Sequence, residues 1–412
     1  MTPCVRSMLP PLPTVAIAAL LAAIPGGAWG MTELVLQMDT SWSHDSNPER
    51  VGTDDASDNL AATELRLAIV QALDSPGTRL LLNAQAGDNR YGHFDGLNSS
   101  PQAYNGAFEW RWTDAWRGAV SQSYKRQPYD VVDASRTRRD VFTQTDASAS
   151  LTLQITPWIS FPMELRSGQL GYDTPANTGS NTRSNAWLMG ARMDTGTGSS
   201  VGVGVQSTEV RFPERTDTQA VNGGTGYRAQ EVYLDALWQY SPLTRVSVRM
   251  APIERRYDGL VGKNFTELAT QAQLRYTPSP LTNWTLDWSD QPTDTTDTAA
   301  LYTRVNRLQW GAQWRPSAKT QVVMSLSQER QNNQTALASA AASPEFKRYR
   351  FGLGVVYAAT PDVRVYVDGS TDRTERGAAL ADILQNTLRV GVEYTFENLP
   401  DLAQRVGLGG RR

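Results

Sequence analysis

The protein has 412 residues, of which 40% are apolar and 20% charged, and a formal net charge of −3. This slightly acidic balance excludes a general affinity for nucleic acid. The single cysteine, Cys4, excludes a disulfide scaffold, a cysteine-based zinc site and an iron–sulfur cluster. The negative mean hydropathy excludes a helical membrane bundle but not a transmembrane β-barrel, whose strands alternate polar and apolar residues.

Residues 1–30 have the features of a secretory signal peptide. Arg6 supplies a positive n-region, residues 15–24 a short apolar core, and residues 28–30 a small-x-small cleavage site. The apolar core is too short to span a bilayer, and Cys4 precedes it, whereas a lipidated cysteine would follow it. The alternative is an amphipathic N-terminal helix of a cytosolic protein. We therefore expect cleavage near Gly30 and export from the cytoplasm.

After residue 30, apolar and polar residues alternate, which is typical of β-strands. The clearest examples are residues 65–69, 246–250, 284–288, 308–314 and 388–396. In each, one face is aliphatic or aromatic, and the other carries Arg, Asp, Glu, Gln, Ser, Thr or Gly. A soluble β-sandwich would show the same alternation, so this pattern alone does not identify the fold.

The connections between the predicted strands distinguish a barrel from a sandwich, because they alternate in length. Short turns are predicted at residues 74–77, 113–115, 156–157, 194–198, 241–243, 278–280, 316–319 and 360–362. Longer polar segments lie at residues 44–59, 92–101, 127–139, 173–183, 212–226, 256–265, 291–301, 331–344 and 373–382. Outer-membrane barrels have this alternation, with short periplasmic turns and longer external loops.

Eight short turns and nine long loops separate eighteen strands. The sequence therefore predicts an all-β fold: one large antiparallel transmembrane β-barrel of about 18 strands, in the outer membrane of a Gram-negative bacterium. The barrel covers residues 31–396, both termini are periplasmic, and residues 397–412 form a periplasmic tail.

Aromatic residues close to the short turns support this prediction, since amphipathic rings collect at membrane interfaces. The alternative is that they cap the core of a soluble sandwich. The predicted membrane-interface aromatics are Trp112, Trp116, Trp158, Trp238, Tyr276, Trp284, Trp314 and Tyr357.

The residues between the apolar positions would line the lumen, because an Arg or Lys facing mid-depth hydrocarbon costs about 2–4 kcal/mol. Such charges and amides could hydrogen-bond sugars and the aromatic rings could stack on them, or all could simply keep a wide pore wet. A slight Arg excess weakly favours an anionic solute. The candidate lumen residues are Arg66, Glu109, Arg111, Arg117, Arg166, Tyr233, Asp235, Arg249, Arg275, Asp287, Arg307, Gln309, Gln313, Arg350, Arg364, Tyr366, Arg389 and Glu393.

The sequence offers little for catalysis. Residues 43–45 read Ser-His-Asp, but neighbouring residues of an extended strand point to opposite faces and cannot converge. The acidic residues 53–58 could hold calcium but lack the spacing of a dedicated loop. Gly202 and Gly204 lie within a strand, where they indicate a bend or a close neighbouring backbone. We therefore expect no enzymatic activity, no cofactor and no metal site.

Several segments resemble EpsL-type outer-membrane proteins, which are large barrels encoded in exopolysaccharide operons, often linked to an exosortase system. These segments are residues 41–47, which follow an alternating first strand, residues 88–91, residues 108–112 with 116–118, and residues 386–396. The chain departs from many outer-membrane barrels, which end on an aromatic residue, because Phe396 is followed by 397–412.

The resemblance implies an outer-membrane conduit or accessory barrel for export of a secreted exopolysaccharide, with no chemistry of its own. Its partners would be the exopolysaccharide chain, outer-membrane lipid and periplasmic export or polysaccharide-assembly proteins. The alternatives are a diffusion porin for small solutes and a closed structural or assembly barrel. A porin would need a long loop folded into the lumen, whereas the predicted loops are similar in length.

Overall fold

A computed structural model describes residues 32–50, 56–73, 77–129, 140–216, 219–220, 224–259, 263–294, 300–335, 345–376 and 381–398. The predicted signal peptide and all of the predicted tail beyond residue 398 lie outside these residues. No helix among them is long and apolar enough to cross a bilayer.

The chain forms one antiparallel sheet of 18 strands. The first nine strands are β1 (Thr32–Asp45), β2 (Asp58–Ala72), β3 (Arg79–Tyr91), β4 (Gln102–Arg111), β5 (Trp116–Tyr129), β6 (Asp140–Thr156), β7 (Ile159–Tyr172), β8 (Thr182–Asp194) and β9 (Ser200–Arg211). The others are β10 (Gly226–Ser241), β11 (Thr244–Tyr257), β12 (Phe265–Ser279), β13 (Thr282–Thr293), β14 (Ala300–Trp314), β15 (Thr320–Thr335), β16 (Phe346–Ala358), β17 (Val363–Glu375) and β18 (Ile383–Glu397). Because β1 pairs with both β2 and β18, the sheet closes into a barrel, and the predicted strand number is confirmed.

The two faces of the wall differ in chemistry, as the pairing of β1 with β18 shows. Met38 lies opposite Tyr394, and these side chains are 47% and 46% exposed. One residue further along, Asp39 lies opposite Glu393, and both are buried. Neighbouring side chains of a strand point to opposite faces, so the outer face is apolar and the inner face polar. A soluble sandwich would bury its apolar face, so the transmembrane barrel is confirmed and the sandwich alternative is wrong.

The connections define two different ends of the barrel. Connections such as 157–158, 242–243 and 280–281 are very short and lie at one end, here named the turn end. The first residue of β1 and the last of β18 also lie there, since Val35 pairs with Glu397. The opposite end, here named the loop end, carries the longer connections.

Strands at the loop end are longer than the alternation predicts. A loop was expected over residues 291–301, but β13 continues to Thr293 and β14 already begins at Ala300. Similarly, β5 continues to Tyr129, inside the loop predicted from residue 127. The ladder of backbone hydrogen bonds extends past the apolar belt, where both faces carry polar residues and the alternation that marks a strand in the sequence disappears.

Candidate functional site: the lumen and its loop-end mouth

The predicted lumen residues share the inner face of the wall. The strand registers place all of them on the face opposite to the exposed apolar side chains. Arg389, for example, lies between the outward-facing Leu388 and Val390, which are 52% and 40% exposed. Their proposed contact with a polysaccharide remains a prediction.

Most charges of the inner face are paired within the wall. The Arg389 guanidinium donates to the carboxylate of Asp368 on the neighbouring strand, at 2.9–3.1 Å. Arg364 donates to Glu393 at 3.1 Å, and Arg249 to Glu231 at the same distance. Such pairs hold long side chains against the wall and leave little net charge in the middle of the lumen.

Two places at the turn end break this pattern, because arginines face arginines. Arg245 on β11 lies directly opposite Arg275 on β12, and Arg111 on β4 opposite Arg117 on β5. Arg111 has Asp114 at 3.5 Å. Within the described residues, Arg245 and Arg275 have no acidic partner, and both are exposed to the lumen. Like charges directly opposite each other destabilise a sheet, so the stability of the sheet does not explain this pair.

Two tyrosines of the inner face brace the wall. The Tyr233 ring covers Gly204, where an added Cβ would lie 2.3 Å from the hydroxyl, and the Arg249 guanidinium stacks on this ring at 4.1 Å. The Tyr366 hydroxyl donates to Asp39 at 2.9 Å. Tyr233 and Tyr366 are only 5% and 3% exposed. This burial favours a structural role over the sugar stacking expected from the sequence, and it explains why residue 204 is glycine.

The predicted interface aromatics all lie at the turn end. Trp112 and Trp158 occupy short connections and are 77% and 56% exposed. The other six are on the outer face of strands, where Tyr276 packs edge-on against Trp284 at 5.8 Å. These positions fit an interface belt, although the lipid contact itself remains a prediction.

At the loop end, the β13–β14 hairpin leaves the wall and folds inward. Pairing between β12 and β13 stops at Thr270 and Asp290, whereas β13 stays paired with β14 as far as Thr293. The next residue, Asp294, accepts hydrogen bonds from Tyr227 at 2.5 Å and Arg255 at 3.2 Å. These two partners are inner-face residues of β10 and β11. The end of β13, as far as Asp294, therefore lies on the lumen side of β10 and β11 and narrows the mouth.

Aromatic packing holds the hairpin in this position. Tyr302 stacks on Phe265 of β12 at 4.1 Å between ring centroids, and its hydroxyl contacts Glu267. The Tyr257 hydroxyl donates to the carbonyl of Leu301 at 3.0 Å. Leu301 also packs on a buried cluster formed by Val210, Phe212, Tyr227 and Tyr257. The similar lengths of the predicted loops argued against a loop folded into the lumen, and this expectation is wrong. Loop length does not show which loop has a surface on the inner face to bind to.

Two further connections contact each other at the loop end. The Arg215 guanidinium, in the β9–β10 connection, stacks on Phe212 at 3.5 Å. It donates to the carbonyls of Gly179 at 3.2 Å, in the β7–β8 connection, and Gly224 at 2.8 Å. Burial lowers the pKa of Arg215 to about 10, so this side chain is still charged at neutral pH. It ties the two connections together.

Buried aspartates at the ends of strands fix other loops. Asp58 accepts the backbone N–H groups of His93 and Phe94 at 2.9 and 3.0 Å. Asp140 accepts from both the backbone and the hydroxyl of Thr174, at 3.0 and 2.8 Å. Sequence reasoning missed these contacts, because an aspartate beside a loop gives no sign of the loop it will bind.

The Ser-His-Asp sequence of residues 43–45 does not converge into a triad. Ser43 and Asp45 are on the inner face, whereas His44 is on the outer face, with its ring nitrogen 3.0 Å from the Asn59 side chain. No group of three or more histidine, cysteine or acidic side chains that could hold a metal occurs in the described parts of the chain. Part of the predicted calcium segment, residues 53–55, lies outside them.

The sequence matches no protein-family model and no curated protein. Among solved structures, the chain is similar to Pseudomonas aeruginosa OccK2 (OpdF) in complex with glucuronate. The TM-score is 0.50 and the identity 11%, over 89% of this chain and 98% of that chain. Pseudomonas aeruginosa OpdQ gives the same TM-score and coverage at 9% identity. At this identity the similarity shows a shared barrel fold, and it gives no support to the EpsL-type family.

Proposed function

We propose that the protein is an outer-membrane pore for small polar solutes, with a preference for those that carry a carboxylate. The observation that supports this most directly is the β13–β14 hairpin, anchored on the inner face through Asp294 and Tyr302. A loop that narrows a wide barrel suits selection among small molecules, whereas a hydrated polymer needs an unobstructed path.

The apolar outer face supports placement in a membrane, and the predicted signal peptide supports export to the outer one. In the orientation typical of outer-membrane barrels, the turn end faces the periplasm and the loop end faces outward. Solutes would enter beside the inward-folded hairpin, pass a wall of paired charges, and meet Arg245 and Arg275 before release. Weak and repeated contacts suit conduction, because a tightly held solute would not leave.

The facing arginines supply the carboxylate preference. A guanidinium offers two parallel N–H donors that match a carboxylate, and Arg245 and Arg275 lack a competing acid in the described part of the barrel. The structure of the similar barrel OccK2 contains glucuronate, a sugar carboxylate. Glucuronate and glucose therefore form a suitable pair of test solutes, since they differ in charge but little in size.

The test is liposome swelling with purified protein, comparing glucuronate with glucose. We expect the replacement of both Arg245 and Arg275 by Gln to lower the ratio of the glucuronate rate to the glucose rate by about 3-fold to 10-fold. A tenfold change corresponds to a loss of about 1.4 kcal/mol of interaction with the carboxylate. The matched control replaces Arg315 and Lys319, in the β14–β15 turn, by Gln, removing the same charge outside the lumen. An unchanged ratio would contradict the carboxylate preference, and no swelling with either solute would contradict the pore.

Exopolysaccharide export is the second candidate. It is favoured by one observation: two segments that carry the EpsL-type resemblance, residues 41–47 and 386–396, come together where β1 pairs with β18. Its partners would be the polymer and periplasmic assembly proteins. Deletion of the gene separates the two functions. Loss of secreted polymer with unchanged solute uptake supports export, and the opposite result supports the small-solute pore.

A further inference from the structure

A cluster of arginines lies on the outer face of β8–β11, near the loop end. Arg183 faces Arg211 across β8 and β9, and Arg228 faces Arg256 across β10 and β11. All four share the face that carries exposed apolar residues lower on the same strands, such as Val232 on β10. Arginines directly opposite each other on neighbouring strands repel one another, so these two pairs do not stabilise the sheet. Of the four, Arg228 also has a carboxylate opposite it, that of Glu209 on β9.

The cluster retains uncompensated positive charge. Arg211 and Arg256 are each paired with a glutamate two residues away, Glu209 at 2.6 Å and Glu254 at 2.7 Å. Arg183 and Arg228 have no acidic partner at ion-pair distance among the residues that the structure describes. Four arginines against two glutamates make this surface attractive to an anion with more than one negative charge.

The height of the cluster corresponds to the headgroup region of a membrane. On β10, Arg228 is four residues above Val232, the nearest exposed apolar side chain, which is 54% exposed. Four residues of strand span about 13 Å along the strand, and the tilt of barrel strands reduces this to about 10 Å of height. An anion held here would therefore lie just outside the hydrocarbon region.

A groove runs from the apolar belt to Arg228, one of the four arginines, beside Glu209. It has a volume of about 780 Å³ and reaches from Val120 on β5 to Arg228 on β10. Small outward-facing residues, Ala147 and Ser167, form one side, and Trp187 lines the other. A soluble anion would need no such groove, whereas a lipid could place an acyl chain along it and its headgroup at the arginines.

We propose that Arg183, Arg211, Arg228 and Arg256 bind the phosphate groups of a lipid in the outer leaflet. The site relies on the membrane orientation proposed above, but not on the solute that the lumen passes. Guanidinium groups bind phosphate through paired, charge-assisted hydrogen bonds, and basic clusters next to a hydrocarbon region recognise anionic headgroups.

The test is native mass spectrometry of the full-length protein in detergent with bisphosphorylated lipid A. We expect the wild type to retain one lipid, and the Arg183→Gln, Arg228→Gln double variant to retain it at least about tenfold more weakly. The matched control is Arg90→Gln with Arg373→Gln, which removes two outward-facing arginines from β3 and β17, away from the cluster. This control should bind like the wild type.

Two ligand arms identify the group that is recognised. Dephosphorylated lipid A should bind the wild type as weakly as lipid A binds the double variant, and millimolar inorganic phosphate should not displace lipid A. Equal retention of lipid A by wild type and double variant would overturn the proposal, as would equal binding of the dephosphorylated lipid or full displacement by phosphate. Heat-modifiable migration and unchanged conductance of each variant show that the barrel is folded and that the result is independent of the lumen.

Discussion

Single residues of the inner face determine how closely neighbouring strands fit. Gly204 on β9 lies under the Tyr233 ring of β10, and a Cβ at this position would also approach the backbone oxygen of Met189 to 2.5 Å. The sequence predicted a close neighbour at Gly204, and there are two: the Tyr233 ring and the backbone of β8. A ring can rotate away from a new methyl group, but a strand carbonyl cannot.

We therefore expect Gly204→Ala to lower the free energy of unfolding by about 1–3 kcal/mol, the usual range for overpacking. The control is Gly369→Ala, also within a strand, where the nearest atom to an added Cβ is a backbone oxygen at an ordinary 3.8 Å. Urea unfolding in detergent, followed by tryptophan fluorescence, measures both variants. Equal stability of the two variants would show that Tyr233 and β8 adjust without cost.

At the scale of elements, the β13–β14 hairpin shows what the sequence could and could not predict. Alternation and turn residues predicted the strands and their number, because these signals are local. The docking of the hairpin depends on Tyr227 and Arg255, which contact Asp294 across 67 and 39 residues of sequence. In the sequence both look like ordinary residues near a loop. The inner and outer faces were predictable from period-2 patterning, but the position of a loop inside the barrel was not.

If the barrel conducts as proposed, its conductance should depend on one carboxylate of the hairpin. Asp294→Ala leaves the Arg255 guanidinium, whose side chain is only 7% exposed, without its acidic partner. Losing a buried partner costs about 3–5 kcal/mol, and the cost here falls to about 1–3 kcal/mol because the Asp294 side chain is 38% exposed. We expect the end of the hairpin at Asp294 to detach from Arg255 part of the time, so that single-channel recordings show a larger mean conductance and slow steps between levels.

The matched control is Glu254→Ala, which removes a carboxylate from an exposed pair with Arg256 on the outer face. Its conductance should equal that of the wild type. A wild-type conductance for Asp294→Ala would mean that the aromatic contacts of Tyr302 hold the hairpin alone, and that the ion pair has no role in setting the width of the mouth.

For the whole molecule, closure is the property on which the other features depend. A barrel in lipid tolerates no open sheet edge, since each unpaired backbone group in hydrocarbon costs several kcal/mol. Closure is provided by β1 and β18, whose register runs from Val35 with Glu397 to Asp45 with Thr387. Asn398 extends the seam, because its side chain accepts from the N–H of Leu34 and donates to the carbonyl of Thr32, both at 2.8 Å.

This seam predicts where the chain can be shortened. Truncation after Asn398 keeps every pair between β1 and β18, so we expect a barrel with wild-type heat-modifiable migration in gels. Truncation after Val392 removes the pairs of Leu36 with Phe396 and Met38 with Tyr394, which leaves the turn-end half of β1 unpaired on that side. This shorter chain should fail to close and should be degraded or aggregate. A folded barrel from the shorter chain would show that a different strand can pair with β1, and a misfolded longer chain would show that closure requires residues beyond the seam.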